Sequence, residues 1–414
     1  MKTPSTVVAR YRTSLGVTSK SPLETSRIPG LPNLHSHAFQ RAMAGLTERR
    51  GSGSDSFWTW REQMYRFVER LGPDDLEAIA AQAYMEMLEA GFTWVAEFHY
   101  LHHQPDGRPY DNVAEMSQRI VAAAAEVGIG LTLLPVLYRQ SGFGGRPATP
   151  GQRRFLNDRE FYARIMETKV PGGRIGIAPH SLRAVTLDDL KWAAETWRGQ
   201  PAHIHVGEQT REVEDCLAAH GRRPIDLLMD TVPVDAHWCL VHATHADAGE
   251  RTRIAKSKAV VGLCPITEAN LGDGLFDVPD FLGKDGRFGV GSDSNVRISV
   301  ADELRTLEYG QRLVHRQRNV LGDAGRSTGR RLFEAALAGG AQAVGASDES
   351  IVVLNDSSHR GDAMLDHWLF TADNDAIISV ERGGVRLVDR GRHRDRDRIA
   401  GRYDRTLARL LSQP

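Results

Sequence analysis

The stretch Pro32-Asn33-Leu34-His35-Ser36-His37-Ala38-Phe39-Gln40 decides how this chain is read. Its apolar run ends in His-Ser-His, and side chains two apart on a strand point to the same face. Two imidazoles side by side at a strand end can hold one divalent cation and leave its other positions open. A His-x-His also arises by chance in a chain with 16 histidines. The reading therefore turns on whether other strand ends supply more ligands and a proton carrier.

Outward from that stretch, one plan repeats: a short apolar run ending in polar residues, then an amphipathic helical segment. The runs cover residues 31–37, 93–100, 131–138, 174–181, 202–208, 239–245, 259–268 and 288–294. Helical patterns fall between them: residues 74–90 stop at Gly91, Thr186-Leu-Asp-Asp189 has the form of a capping box, and residues 300–319 carry apolar spacings of three and four. Eight such runs alternating with helices predict an α/β fold, a closed (β/α)8 barrel of the TIM type over residues 29–345. No glycine-rich phosphate loop follows the first run, which argues against a dinucleotide-binding sheet. Strand-like runs at 350–354, 368–370, 376–380 and 385–388 predict a small accessory β domain, residues 346–414 together with a short N-terminal part, 1–28. The loops 48–56 and 139–151, rich in Gly with Ser or Pro, are lid candidates.

With 52 basic against 53 acidic residues, the chain has no net field to draw nucleic acid or an anionic membrane. The arginine-rich tail from Arg382 to Arg398 alternates with aspartates and reads as a solvated, self-paired face. Three cysteines, Cys216, Cys239 and Cys264, form no Cys-x-x-Cys and no disulfide framework. The first thirty residues lack the apolar core of a secretory signal, and residues 120–137 are too interrupted for a membrane span. A cytoplasmic protein is expected.

Chemistry in such a barrel sits at the C-terminal ends of the strands. Those ends carry His35 and His37, His99 and Tyr100, His180, His203, His205 and Glu208, His242 and His245, Glu268, and Asp293. His203 and His205 share a face, and His205, nearer the strand end in His-x-x-Glu, is the better third metal ligand. Asp293 in Gly-Val-Gly-Ser-Asp-Ser is the natural fourth. Three histidines and an aspartate favour zinc, with iron or manganese as substitutes. Zinc-bound water ionises near neutrality, at a pKa of about 7. Glu208 is placed to carry a proton to a leaving nitrogen, and His242 to polarise the electrophile.

Several motifs resemble those of the N-formimino-L-glutamate deiminases, in the amidohydrolase superfamily. They are Pro29-Gly-Leu-Pro-Asn-Leu-His-Ser-His-Ala-Phe-Gln-Arg-Ala-Met-Ala-Gly-Leu46, Ala178-Pro-His-Ser-Leu-Arg183, His203-Ile-His-Val-Gly-Glu-Gln209, Val241-His-Ala-Thr-His245, residues 263–274, and Gly291-Ser-Asp-Ser-Asn-Val-Arg297. The resemblance implies hydrolysis of the formimino group to N-formyl-L-glutamate and ammonia, a step of histidine breakdown. It implies zinc on His35, His37, His205 and Asp293, with Glu208 and His242 as the acid–base pair. Substrate contacts would carry over to Gln40, Arg61, Tyr100, His180 and Arg183, and a homodimer is implied. A dicarboxylate substrate suits two arginines, since a guanidinium grips a carboxylate bidentately. The competing sequence readings are a deaminase of purines, pyrimidines or other cyclic amidines, and an inactive metal-binding barrel.

Overall fold

The computed structural model describes residues 26–49, 53, 55–355 and 358–412. The expected N-terminal β segment up to residue 25, and residues 50–52 and 54 of the first lid candidate, lie outside them. Fourteen strands are described: β1 Arg27–Ile28, β2 Leu31–Ser36, β3 Phe92–His99, β4 Gly130–Leu137, β5 Arg174–Ile175, β6 Ala178–Pro179, β7 Ala202–Val206, β8 Trp238–His242, β9 Val260–Leu263, β10 Arg287–Val290, β11 Ser350–Leu354, β12 Ile377–Arg382, β13 Val385–Asp389 and β14 Arg392–His393.

Strands β2 to β6 pair in parallel as one sheet and β7 to β10 as a second. The residues of β2, β3 and β4 are buried throughout, as expected of parallel strands covered on both faces. A closed barrel was expected, but the ladder is not continuous. Among the described residues, the two sheets pair only through isolated parallel bridges, Ser36 to Asp293 at one seam and Ile177 to Ala202 and Ser181 to His205 at the other. The breaks have local causes. The segment 174–181 splits into β5 and β6, the latter ending in Pro179, which has no N–H to pair. Asp293 leaves extended geometry at φ 44°. At that seam the backbones approach closely: a Cβ on Gly291 would lie 2.6 Å from the His35 carbonyl oxygen.

Helices cover the sheets where the apolar period placed them. The 74–90 pattern is the helix Pro73–Glu89, ended by Gly91 at φ 92°. Thr186 caps Leu187–Thr196 by accepting from the Asp189 N–H. The 300–319 pattern is the helix Val300–His315. The helix Thr328–Val344 lies directly on β10, where a Cβ on Gly339 would meet the Phe288 carbonyl oxygen at 1.9 Å.

The two ends of the described chain build a five-stranded antiparallel sheet, with β1 paired to β11 and followed by β12, β13 and β14. Two expectations for this region are corrected. The run Trp368-Leu-Phe370 is helical, within Asp362–Thr371, because Met364, Leu365, Trp368 and Leu369 bury one face at helical spacing. The arginine-rich tail ends in a helix, Arg396–Ser412, that Ile399, Tyr403, Leu407 and Leu410 turn inward. Its cations reach other elements as well as their neighbours: Arg396 pairs with Glu89, Arg398 and Arg402 with Glu126, Arg402 also with Glu77, and Arg409 with Asp75. Arg402→Ala is expected to lower stability by about 0.5–1 kcal/mol, with kcat unchanged. The shift in urea midpoint should shrink in 1 M salt, where surface charges are screened.

Among the described residues, no helix is long and apolar enough to cross a membrane. The three cysteines are free and buried.

Candidate active site

Strand alternation delivers His35 and His37 to one point, and the Ser36–Asp293 bridge brings in the fourth group. The Asp293 N–H donates to the His35 carbonyl at 3.0 Å, and the His37 N–H donates to the Asp293 carbonyl at 2.9 Å. Asn295 locks this junction, its amide donating to Ser36 Oγ and to the carbonyls of His37 and Asp293, each at 3.1 Å. Asp293 and His242 both hold left-handed backbone, at φ 44° and 66°. Non-glycine residues adopt that region at a cost of order 1–3 kcal/mol, which the surrounding hydrogen bonds hold in place.

The imidazole tautomers follow from their partners. His37 Nδ1 lies 2.9 Å from the Phe98 carbonyl, and His205 Nδ1 lies 3.1 Å from the His180 carbonyl. A carbonyl only accepts, so each Nδ1 carries the proton and each Nε2 presents a lone pair. Burial lowers the pKa of both rings and that of His35 to about 3, keeping all three neutral. His35 Nε2 stands 3.0 Å from His205 Nε2 and 3.2 Å from His37 Nε2. The Asp293 Oδ1 is 3.5 Å from His35 Nε2 and 3.3 Å from His37 Nε2. Burial raises the Asp293 pKa, but the imidazoles of His35, His37 and His242 around it outweigh that and lower it overall. Lone pairs and an anion facing one another repel unless a cation sits between them. The spacing matches the edge of about 3.3 Å that 2.0 Å bonds give around a tetrahedral ion. His35, His37, His205 and Asp293 form a buried metal site.

His203 points elsewhere. Its Nε2 lies 2.9 Å from the Ala343 carbonyl, beneath the ligand layer. His99 and His245 also lie outside the ligand group. His245 bonds the Asp273 carbonyl at 3.0 Å.

Glu208 and His242 flank the ligands. His242 Nε2 is 4.0 Å from Glu208 Oε1 and 4.0 Å from Asp293 Oδ2. Burial alone would lower the His242 pKa, but a hydrogen bond to Glu268 and the charges of Glu208 and Asp293 push it up to about 10. Glu268 is not a strand-end residue as expected. It sits in the helix Pro265–Leu271, where Oε1 accepts from the Cys264 N–H at 2.9 Å and meets His242 Nδ1 at 3.1 Å. Glu212 fixes the backbone at Glu208, accepting from the N–H groups of Gly207 and Glu208 at 3.1 Å each. Arg183 bridges the pair, 3.1 Å from Glu208 and 3.7 Å from Glu212. Burial opposes charge on Arg183, and Glu212 and Glu208 more than offset it.

A cleft with about 670 Å³ of empty space opens over these groups. Gln40, Arg61, Tyr100, His180, Arg183, Glu208, His242 and Asp293 all line it. Gln40 Nε2 donates to the Tyr100 hydroxyl at 2.9 Å. Arg61 comes from the helix Phe57–Val68, with its guanidinium 4.7 Å above the Trp58 ring and its Nε buried without a partner. Ser141, from the second lid candidate, lines the cleft too. Reading the sequence missed Glu212, Glu268 and Asn295 as supports, and it missed Tyr65 and Tyr138, which also line the cleft. Only the acidic residue four places after Glu208 was a visible signal.

A sequence profile described as the amidohydrolase family matches residues 27–350. The chain belongs to that family. Among related amidohydrolases, the formimidoylglutamate deiminase of Pseudomonas aeruginosa is 50% identical over 425 aligned positions, which span 98% of this chain and 94% of that protein. The crystal structure of an amidohydrolase from Brucella melitensis superposes with a TM-score of 0.90 at 50% identity, covering 93% of this chain and 90% of that one. An adenosine deaminase from Xanthomonas campestris, crystallised with bound zinc, shares the fold at 19% identity, with a TM-score of 0.77 over 93% of this chain and 86% of that one. The amidohydrolase family expected from the motifs is the one found.

Proposed function

We propose that this protein hydrolyses N-formimino-L-glutamate to N-formyl-L-glutamate and ammonia. The observation that carries the reading is one cleft holding the metal ligands, Glu208 and two arginines, in a chain half identical along its length to a formimidoylglutamate deiminase. The ion we assign is zinc, on His35, His37, His205 and Asp293. Nitrogen-rich tetrahedral donor sets suit it, and iron or manganese are the substitutes. When bound, zinc supplies Lewis acidity that makes water a nucleophile near neutral pH.

The chain's own groups do the rest. Water adds to the formimino carbon, the carbon–nitrogen bond to the terminal nitrogen breaks, and ammonia leaves. Glu208 takes the proton from the water and delivers it to the departing nitrogen. His242, its Nδ1 tied to Glu268, turns Nε2 toward Glu208 and Asp293 and stabilises negative charge growing at the reacting carbon's substituent. Gln40, Tyr100 and His180 orient the amidine end. Burial and Arg183 keep His180 neutral.

The two arginines lining the cleft support a dicarboxylate over a nucleobase, which has no carboxylates to pair with them. Arg61→Met is expected to raise the Michaelis constant for N-formimino-L-glutamate about tenfold or more. Ammonia release coupled to a dehydrogenase reads both this change and the wild-type activity. No release from N-formimino-L-glutamate by the zinc-loaded wild type would refute the assignment.

The same reading treats the two parallel sheets as one eight-stranded barrel, supported by the three bridges at their seams. Residues 29–345 then form the hydrolase unit, with 1–28 and 346–414 as the accessory layer. A homodimer and a cytoplasmic location belong to this reading. The exposed Tyr309, Leu313 and Val314 on one helix support the first, and the three free cysteines support the second.

A further inference from the structure

Asp293 turns its two carboxylate oxygens to different neighbours. Oδ1 faces His35 and His37, whereas Oδ2 faces His242, whose Nε2 is 4.0 Å away. On that second side lies a thiol that the mechanism leaves unused. Cys264, directly after β9, is fully buried and in no disulfide. One donor atom from each of Cys264, His242 and Asp293 lies within 4.8 Å of the other two. These three side chains make a second buried ligand group that shares Asp293 with the first.

The groups behind them are those of a metal site. A ligating histidine keeps one ring nitrogen for the ion and gives the other to a carboxylate, which fixes the ring's orientation. His242 is held in this way. Its Nδ1 meets Glu268 Oε1 at 3.1 Å, and its Nε2 faces Asp293 Oδ2 and Glu208 Oε1, each 4.0 Å away. Glu268 Oε1 also accepts from the Cys264 N–H at 2.9 Å, so one carboxylate fixes both the ring and the backbone that carries the thiol. Sulfur in the donor set disfavours magnesium and calcium, which take oxygen ligands, and favours zinc or a softer ion. Donor atoms around a tetrahedral zinc stand about 3.3–3.5 Å apart, so the ring and the carboxylate need to close by less than about 1 Å.

We propose that Cys264, His242 and Asp293 bind a second zinc ion, with Asp293 shared between the two ions, and that this second ion inhibits the enzyme. On its entry the Cys264 thiol and His242 Nε2 each release a proton to solvent. Two protons leave as one dication arrives, so the net charge of the pocket is unchanged. Inhibition follows because Nε2, once bonded to the ion, is withdrawn from the substrate. The inhibition rests on the deiminase reading, whereas the site rests on its ligands alone.

The test compares the full-length wild type with Cys264→Ser, each first loaded with a single equivalent of zinc. Serine keeps the size of the side chain, suits the start of the helix Pro265–Leu271, and lacks the soft donor. As free zinc rises, the wild type should take up a second equivalent and lose ammonia release. Cys264→Ser should begin at wild-type activity and need about tenfold more zinc, or beyond, for the same loss. Cobalt(II) gives a readout that needs no substrate. The first site holds no sulfur, so only the second equivalent should bring a thiolate-to-cobalt charge-transfer band in the near ultraviolet, and Cys264→Ser should lack it. Absence of that band in the wild type, absence of a second equivalent, or equal zinc inhibition of both proteins overturns the proposal. A cobalt band in a wild type that releases no ammonia from N-formimino-L-glutamate supports the second site and overturns the deiminase reading.

Discussion

Replacing Glu208 by glutamine should lower kcat about a thousandfold while leaving the metal content at the wild-type level. Both halves of that outcome follow from geometry. Glu208 is not among the four converging ligands, so elemental analysis should find no loss of the ion. Its backbone N–H is held by Glu212, and a glutamine carbonyl still accepts from Arg183, so the side chain stays in place. What disappears is the ability to take up and release a proton between the water and the leaving nitrogen. Activity near that of wild type would remove Glu208 from the mechanism and leave the nearby His242 as the remaining proton carrier.

The largest effect is expected from the third imidazole, and a paired experiment makes it specific. His205→Ala should release most of the bound metal, abolish ammonia release and lower the melting temperature. At an ion concentration 100 times its dissociation constant, binding contributes about 2.7 kcal/mol to stability. His203→Asn, two residues away on the same face, should keep the metal and most of the activity. It should cost only the stability of a buried hydrogen bond, about 0.5–1.5 kcal/mol. The contrast holds because His205 Nε2 lies 3.0 Å from His35 Nε2, whereas His203 Nε2 lies 2.9 Å from a backbone carbonyl. If His203→Asn lost the ion and His205→Ala kept it, the ligand assignment would be reversed. A chelator should reproduce the His205→Ala behaviour in the wild type, and added zinc should restore activity.

These variants also show where sequence and structure part company. The pair His35 and His37 was legible from alternation within a single strand, because two-residue periodicity is a local property. So were the helices 74–90 and 300–319, whose apolar stripes repeat every three or four residues. The choice of His205 over His203 needed only their order along one strand. The run 368–370 was misread because three residues carry no period, and only burial of Met364 and Leu365 in the same turn reveals a helix. The continuous barrel was over-read for a related reason: eight apolar runs imply eight strands, but not that every seam keeps its ladder.

From its order of residues alone, this chain determined its α/β alternation, the metal-binding character of its strand ends and the family to which it belongs. Each of these is written in short-range spacing and in motifs of contiguous residues. The tertiary structure alone decided which groups support the reactive ones. Glu268 on His242, Glu212 on Glu208, Gln152 on two tyrosines and Asn295 across the Ser36–Asp293 junction all depend on side chains meeting at hydrogen-bond distance. The tail arginines were expected to pair with the acidic residues they alternate with, and Arg386, Arg392 and Arg394 do, whereas Arg396 and Arg398 also reach Glu89 and Glu126 on helices far earlier in the chain. A charge pattern states how many partners a cation needs, while the packing of one helix against another determines which ones it meets.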